Sequence, residues 1–149
     1  MSKIELPPLW LAAFAALAWW QSTYYDMRLS FGPVWADFLG GLLIGGGLLL
    51  ILLAATEFRR HHTTLMPHSK SSQLVQSGIY KRSRNPIYLG DAMILAGLIL
   101  RWDAVLSLPL IPIFIWVIEK RFVLDEEKHL RRTYRALWAS YERRVRRWL

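Results

Sequence analysis

The chain predicts an all-α integral membrane protein with about four transmembrane helices and an amphipathic C-terminal helix. Three observations predict that class. Hydrophobic residues make up 54% of 149, and the mean hydropathy is positive at +0.22. The apolar residues fall in four runs divided by polar segments, and lysine and arginine crowd beside the runs rather than within them. The length suits one domain over 1–149, with spans at about 7–25, 35–56, 86–101 and 104–119, a loop at 57–85 and a tail at 120–149.

The first run, PPLWLAAFAALAWWQSTYY, opens on Pro7 and Pro8, which fit a first helical turn where a missing N–H costs nothing. Ala16-Leu17-Ala18 resembles a signal-peptide cleavage site, but the apolar pattern continues through Trp19-Trp20, so a span is the preferred reading. The second run, WADFLGGLLIGGGLLLILLAAT, exceeds the roughly 20 residues that a spanning helix needs. Its Gly41 and Gly45 form a GxxxG pair, with Gly40, Gly46 and Gly47 alongside. Small residues admit a neighbouring helix closely. Contact within the chain is the preferred use and a homodimer the alternative.

Runs three and four, PIYLGDAMILAGLIL and AVLSLPLIPIFIWVI, are separated by Arg101-Trp102-Asp103 and read as a helical hairpin. Each spans about 22 Å at 1.5 Å per residue, short for a full crossing. Pro109 and Pro112 are expected to kink the fourth helix.

The net charge of +8 is concentrated in two places. Segment 57–85 holds six Lys and Arg and the segment after 119 holds ten, whereas the two short connections hold Arg28 and Arg101. The central loop and both termini are therefore expected on the cytoplasmic side. Membrane lipids are expected neighbours and nucleic acid is not. Absence of cysteine excludes disulfides, thiolate zinc sites and cysteine nucleophiles. His61, His62 and His68 lack a carboxylate at ligand spacing, so no metal is expected.

The stretch SGIYKRSRNPIYLGD sets Lys81, Arg82 and Arg84 directly against the third run. Asn85 before Pro86 is biased away from helical angles, while Pro86 fits a helix start. That places Asn85 at a helix N-terminus, where backbone N–H groups and the dipole favour an anion. A headgroup contact is the plainer alternative. Asp91 lies about a turn and a half into this helix, where an ionised group is costly and often functional. It suits a polar substrate tunnel, a pairing with Arg84, or a shallow contact with headgroup water.

From Glu119 onward apolar residues recur at steps of three and four, as in an amphipathic helix, with arginines on the other faces. Such a face suits an anionic leaflet, at about 1 kcal/mol per basic residue. Asp125-Glu126-Glu127 interrupts the basic pattern and needs another partner. Pairing with Lys128 or Arg131 is one answer, and a cationic ligand is the other.

These pieces together resemble the membrane methyltransferases related to isoprenylcysteine carboxyl methyltransferase, a group that includes phospholipid N-methyltransferases. The residues that carry the resemblance are Gly78 and Tyr80, Arg84 to Tyr88, Glu126 to Leu130, and Trp138 with Tyr141, ordered around a hairpin over roughly residues 59 to 149, including the preceding TTLMP. The resemblance implies S-adenosylmethionine as cofactor, bound at the cytoplasmic face, and an amphiphilic small-molecule or lipidated acceptor arriving from the bilayer. It assigns Tyr80, Arg84, Asn85, Pro86, Tyr88, Leu89, Glu126, Glu127, Trp138 and Tyr141 to the cofactor. Arg121 and Glu126, five positions apart, become the catalytic pair, and a register anchored on E-E-x-x-L puts Phe122 in place of that arginine. Asn85 stands where His is frequent, an Asn variant that resembles a bacterial branch and implies the inner (cell) membrane. Tyr134-Arg135 replaces Phe-Gly, and Trp138 replaces the first tail tyrosine.

The chemistry of these side chains is compatible with that cofactor. Asn85 and helix-start N–H groups suit a carboxylate, with charge from Arg84, and Glu126 and Glu127 suit an ammonium or ribose hydroxyls. The aromatic faces suit adenine or a sulfonium. Two other readings compete: a membrane reductase using NADPH, which shares an R-H-P-x-Y-like element, and a non-catalytic protein with a basic lipid-binding tail.

Overall fold

Pro7 and Pro33 open the first two helices of the computed structural model, which describes residues 7–25, 30–60 and 74–148. Helix α1 is Pro7–Tyr24 and α2 is Pro33–Arg60. A 3₁₀ turn, Gly78–Lys81, precedes α3 at Pro86–Arg101. After a second 3₁₀ turn, Val105–Ser107, come α4 at Leu110–Ile118, a π turn at Glu119–Val123, α5 at Leu124–Tyr134 and α6 at Ala136–Arg144. The described residues contain helices and turns and no strand. Residues 34–59 form the one described helix that is both long and apolar enough to cross a membrane. The three histidines of the central loop and the TTLMP stretch lie outside the described residues.

Helices α2 and α3 run antiparallel and meet backbone to backbone. A Cβ added at Gly47 would stand 2.5 Å from the carbonyl oxygen of Gly90, and one at Gly97 would stand 2.5 Å from that of Gly40. The two pairs, Gly47 with Gly90 and Gly40 with Gly97, are seven residues apart on each helix, which is about two turns. The glycines in contact are therefore Gly40 and Gly47, not the expected pair Gly41 and Gly45. A Cβ at Gly45 would meet nothing within 4 Å, and one at Gly41 would touch only the end of the Arg101 side chain. The spacing of the partner glycines on α3 selects the face.

Helix α1 lies against α3 and α4. The main core joins Ala18, Tyr88, Leu95, Ile99, Phe114, Ile118 and Phe122, with Phe14 meeting Phe114 edge to face at 5.3 Å. At the end away from the 3₁₀ turn Gly78–Lys81, Asp103 takes a positive φ of 58° and its Oδ1 accepts a hydrogen bond from the Phe31 N–H at 2.8 Å. Ser107 Oγ donates to Gln21 Oε1 at 2.8 Å, and Arg101 Nη1 donates to the Asp37 carbonyl at 3.2 Å. These bonds tie the hairpin to α1 and α2.

Two further expectations change. Pro109 and Pro112 do not kink the fourth helix; Pro109 caps it and Pro112 lies in its first turn, where proline is tolerated. The irregularity falls instead at the π turn 119–123, which carries α4 directly into α5. The amphipathic C-terminal segment is also two helices rather than one, because Arg135 adopts a φ of 43° and separates α5 from α6.

Candidate functional site

Tyr80 brings the loop before α3 onto both α2 and α6. Its ring meets Phe58 of α2 edge to face at 5.4 Å, and its carbonyl accepts a 2.8 Å hydrogen bond from the Tyr141 hydroxyl of α6. Beneath the loop, Ser77 Oγ donates to Glu57 Oε2 at 2.6 Å. Gly78, at φ +61°, lies so close that a Cβ would run into the Glu57 carboxyl group, so glycine is required there. Burial pushes the hydroxyls of Tyr80 and Tyr141 up, out of reach of physiological titration.

Arg84 is the hub of the next layer. Its guanidinium lies 5.5 Å from the centre of the Trp138 ring, and Nη1 stands 3.4 Å from Glu142 Oε2 and 3.6 Å from Glu127 Oε2. Its Nε is buried without a hydrogen-bond partner, as is the indole Nε1 of Trp138. Both orphans are donors at the expected cofactor position, and such groups cost free energy unless something accepts from them. Trp138 and Tyr141 are themselves buried, with ring centres 5.8 Å apart.

The entrance of α3 forms as its residues dictate: Pro86 is buried at the first helical position and Asn85 precedes it in a non-helical conformation. Leu89 closes the first turn by donating its N–H to the Asn85 carbonyl at 2.9 Å. The Asn85 side chain does not cap the helix; Nδ2 donates to the Arg147 carbonyl at 3.0 Å, while its backbone N–H donates to Ser83 Oγ at 3.1 Å.

Across the gap, the acidic turn of α5 divides its work. The Tyr88 hydroxyl donates to Glu126 Oε1 at 2.5 Å. Burial pushes the Glu126 carboxyl up to about 7, reinforced by the like charges of Asp125 and Glu127 and opposed by the Tyr88 hydrogen bond. Glu127, 5% exposed, receives both Nε and Nη2 of Arg147 at 2.8 and 2.9 Å. Arg147 also donates through Nη1 to Glu119 Oε1 at 3.2 Å, and these carboxylates, with the Glu127 hydrogen bond the largest cause, push its pKa up. Trp148 Nε1 donates to the same Glu119 oxygen at 3.2 Å.

The partners of the acidic run are therefore Tyr88, Arg84 and Arg147, not Lys128 or Arg131. Arg131 turns to Glu142 at 3.2 Å, and Asp125 is exposed. Arg121 lies over the Trp10 ring of α1 at 5.2 Å while Glu126 pairs with Tyr88, so the expected catalytic pair faces two different elements. Asp91 is buried one turn beyond Tyr88, and Arg84, engaged with Glu127 and Glu142, is not its partner. Sequence reasoning missed Glu119, Ser83, Glu142 and, above all, Arg147. Among the described residues no group of His, Asp and Glu is arranged to hold a metal ion.

Asn85, Arg84, Tyr88, Glu126, Glu127 and Trp138 thus form one polar and aromatic cluster where α3 begins and α4 continues into α5. No protein of established function and no solved structure matches the chain significantly. A family model described as phospholipid methyltransferase matches residues 35–136, which take in most of α2 and the motif residues from Gly78 to Leu130 and stop short of Trp138 and Tyr141. It is one of the membrane methyltransferase families to which the motifs point, and the chain belongs to the phospholipid methyltransferase family.

Proposed function

We propose that the protein transfers a methyl group from S-adenosylmethionine to an amphiphilic, lipid-like acceptor at the cytoplasmic face of a membrane. The observation that carries this reading is the meeting of Asn85, Arg84, Glu126 and Glu127 with Tyr88 and Trp138 at the entrance of α3, in a chain of a methyltransferase family. Four spans, rather than one, fit the outward display of Leu17, Trp19, Leu42, Leu49, Leu52, Ile113 and Trp116. Apolar surface of that extent on α1, α2 and α4 suits acyl chains, not water.

The residues present fit the cofactor. Glu127 offers a carboxylate to an ammonium, and the unpartnered donors Arg84 Nε and Trp138 Nε1 suit a carboxylate or a ring nitrogen. When bound, the cofactor supplies an electrophilic methyl on sulfur. The protein's task is alignment and exclusion of water, which Trp138, Tyr88 and Phe122 serve by walling the site. Glu126 is poised to take a proton near neutrality, as an amine acceptor requires. A carboxylate acceptor, as in isoprenylcysteine carboxyl methyltransferase, needs no base and would rely on Arg121, which lies over Trp10. The geometry therefore supports an amine acceptor better. The family match favours methyl transfer over nicotinamide-dependent reduction or passive lipid binding. Asp91 borders this site from within α3 and lines the route for an acceptor headgroup.

Calorimetry on the purified protein in nanodiscs tests the reading. Binding of S-adenosylmethionine, weakened by Asn85→Ala, is expected; no binding to the wild-type protein or any variant would overturn it. Incubation with methyl-labelled cofactor and a total lipid extract then identifies the acceptor as a labelled lipid.

A further inference from the structure

Arg147 satisfies both poles of the proposed cofactor-binding cluster by itself. Its backbone carbonyl takes the Asn85 amide at 3.0 Å, and its guanidinium takes both oxygens of Glu127. One residue thus offers an acceptor to the donor and a cation to the carboxylate, as an α-amino acid headgroup would do with its carboxylate and ammonium.

The chain reaches this position because α6 stops at Arg144 and Val145 turns extended, at φ −128° and ψ 130°. Val145 is anchored in a small core with Trp138 and Tyr141. The segment then crosses the α3 entrance, where the Arg146 carbonyl accepts the Arg84 N–H at 3.0 Å. Trp148 closes it, its indole N–H on Glu119 and its ring against the main core. Among the described residues, the backbone N–H groups of Arg146, Arg147 and Trp148 donate no hydrogen bond. The segment is held by two of its carbonyls, by the Val145 N–H on the Tyr141 carbonyl at 3.0 Å and by the side chains of Val145, Arg147 and Trp148, not by a sheet ladder. With no ladder to break, residues 146–148 can leave without unfolding a helix, provided that a ligand replaces Arg147 on Glu127.

We infer that Val145–Trp148 is a strap that occupies the cofactor groups, and that S-adenosylmethionine binds by displacing it. The inference rests on the cofactor reading above. In the closed state Glu127 keeps a counter-ion, which a buried carboxylate needs. The cofactor's ammonium takes over that role on binding. The apparent affinity is then the intrinsic affinity reduced by the fraction of molecules with the strap open.

Hydrogen exchange on the full chain in nanodiscs tests the displacement directly. Added S-adenosylmethionine is expected to speed exchange at Arg84 and Val145, whose N–H groups are hydrogen-bonded in the closed state, and to slow it at 87–89. Slower exchange at Arg84 and Val145 would overturn the strap, making the segment a fixed wall of the site. Two variants give an independent readout by calorimetry. Arg147→Ala removes the stand-in cation, and Glu119→Gln loosens Arg147 and Trp148 without touching the cofactor groups. Both are expected to bind S-adenosylmethionine more tightly, Arg147→Ala by about tenfold. Equal or weaker binding by Glu119→Gln, which retains the Glu127 ion pair and so the fold, would overturn the strap while leaving the methyltransferase reading intact. Absence of binding in the wild-type protein and both variants would sink that reading, and the strap's role with it.

Discussion

The Tyr88 hydroxyl and the Glu126 carboxylate, 38 positions apart in sequence, are joined by a 2.5 Å hydrogen bond that fastens the first turn of α3 to α5. Burial raises Glu126 to about 7, so its proton is exchanged in the neutral range. If Glu126 is the base, kcat/KM rises with pH through about 7 and then levels. Glu126→Gln is expected to remove that limb and lower kcat by at least about a hundredfold. Tyr88→Phe removes the bond that lowers the Glu126 pKa and shifts the limb to higher pH. A pH–rate profile of the three proteins checks both.

The same residue predicts a pH dependence of stability. A carboxyl whose folded pKa lies above its ordinary 4.5 binds its proton more tightly in the folded state. Its contribution is therefore greatest below about 4.5 and is lost as pH rises to about 7. Glu126→Gln is expected to flatten that slope, measured as Tm against pH in detergent.

Glu127 is 5% exposed and bound in a bidentate pair with Arg147, which is itself partly exposed. Glu127→Gln keeps the shape and removes the charge. Calorimetry is expected to show S-adenosylmethionine binding weakened by about tenfold or more, since a charge-assisted bond to the ammonium is lost.

The glycine seam makes a prediction with an internal control. Gly47→Ala places a methyl 2.5 Å from the Gly90 carbonyl oxygen and forces α2 and α3 apart. A loss of about 1–3 kcal/mol is expected from such overpacking. Gly45→Ala, on the same helix with open space beyond it, is expected to be neutral or to stabilise by up to about 1 kcal/mol. Thermal unfolding of the two variants side by side decides it.

Tyr141→Phe removes the hydroxyl that reaches the Tyr80 carbonyl at 2.8 Å inside the core. It leaves a buried acceptor unsatisfied and is expected to cost about 1–3 kcal/mol. Exchange at residues 78–82 should rise more than elsewhere, because that bond ties the loop to α6.

Much of the site was legible in short segments. Asn85-Pro86 announced a helix start, and Glu126-Glu127 announced a partner, because each violates what its neighbours prefer locally. Arg147 was not legible: it is one of eight tail arginines, and nothing nearby marks the one that turns inward. Its role depends on α6 ending at Arg144, a tertiary event. The break at Arg135 was equally silent, since an arginine at positive φ carries no glycine or proline signal. The glycine seam was half legible. Five glycines within eight residues of α2 left the contacting pair open, and only the seven-residue spacing of Gly90 and Gly97 on its partner resolves it. Arg121 was assigned by the resemblance, which implies an arginine five positions before the glutamate, and the π turn at 119–123 changes which of these residues share a face.

The seam also governs where the molecule can yield. Where α2 and α3 touch through carbonyl oxygens and Cα atoms, only the stiff β-branched side chains of Ile44, Ile51 and Ile94 flank the contact, so the two helices behave as one stiff beam. Widening must then come from the other flank, where α1 leans on α3 and α4 through Phe14, Phe114 and Trp10. An acceptor of the proposed kind would then enter along α1, and bulk added on that helix would select among acceptors by width.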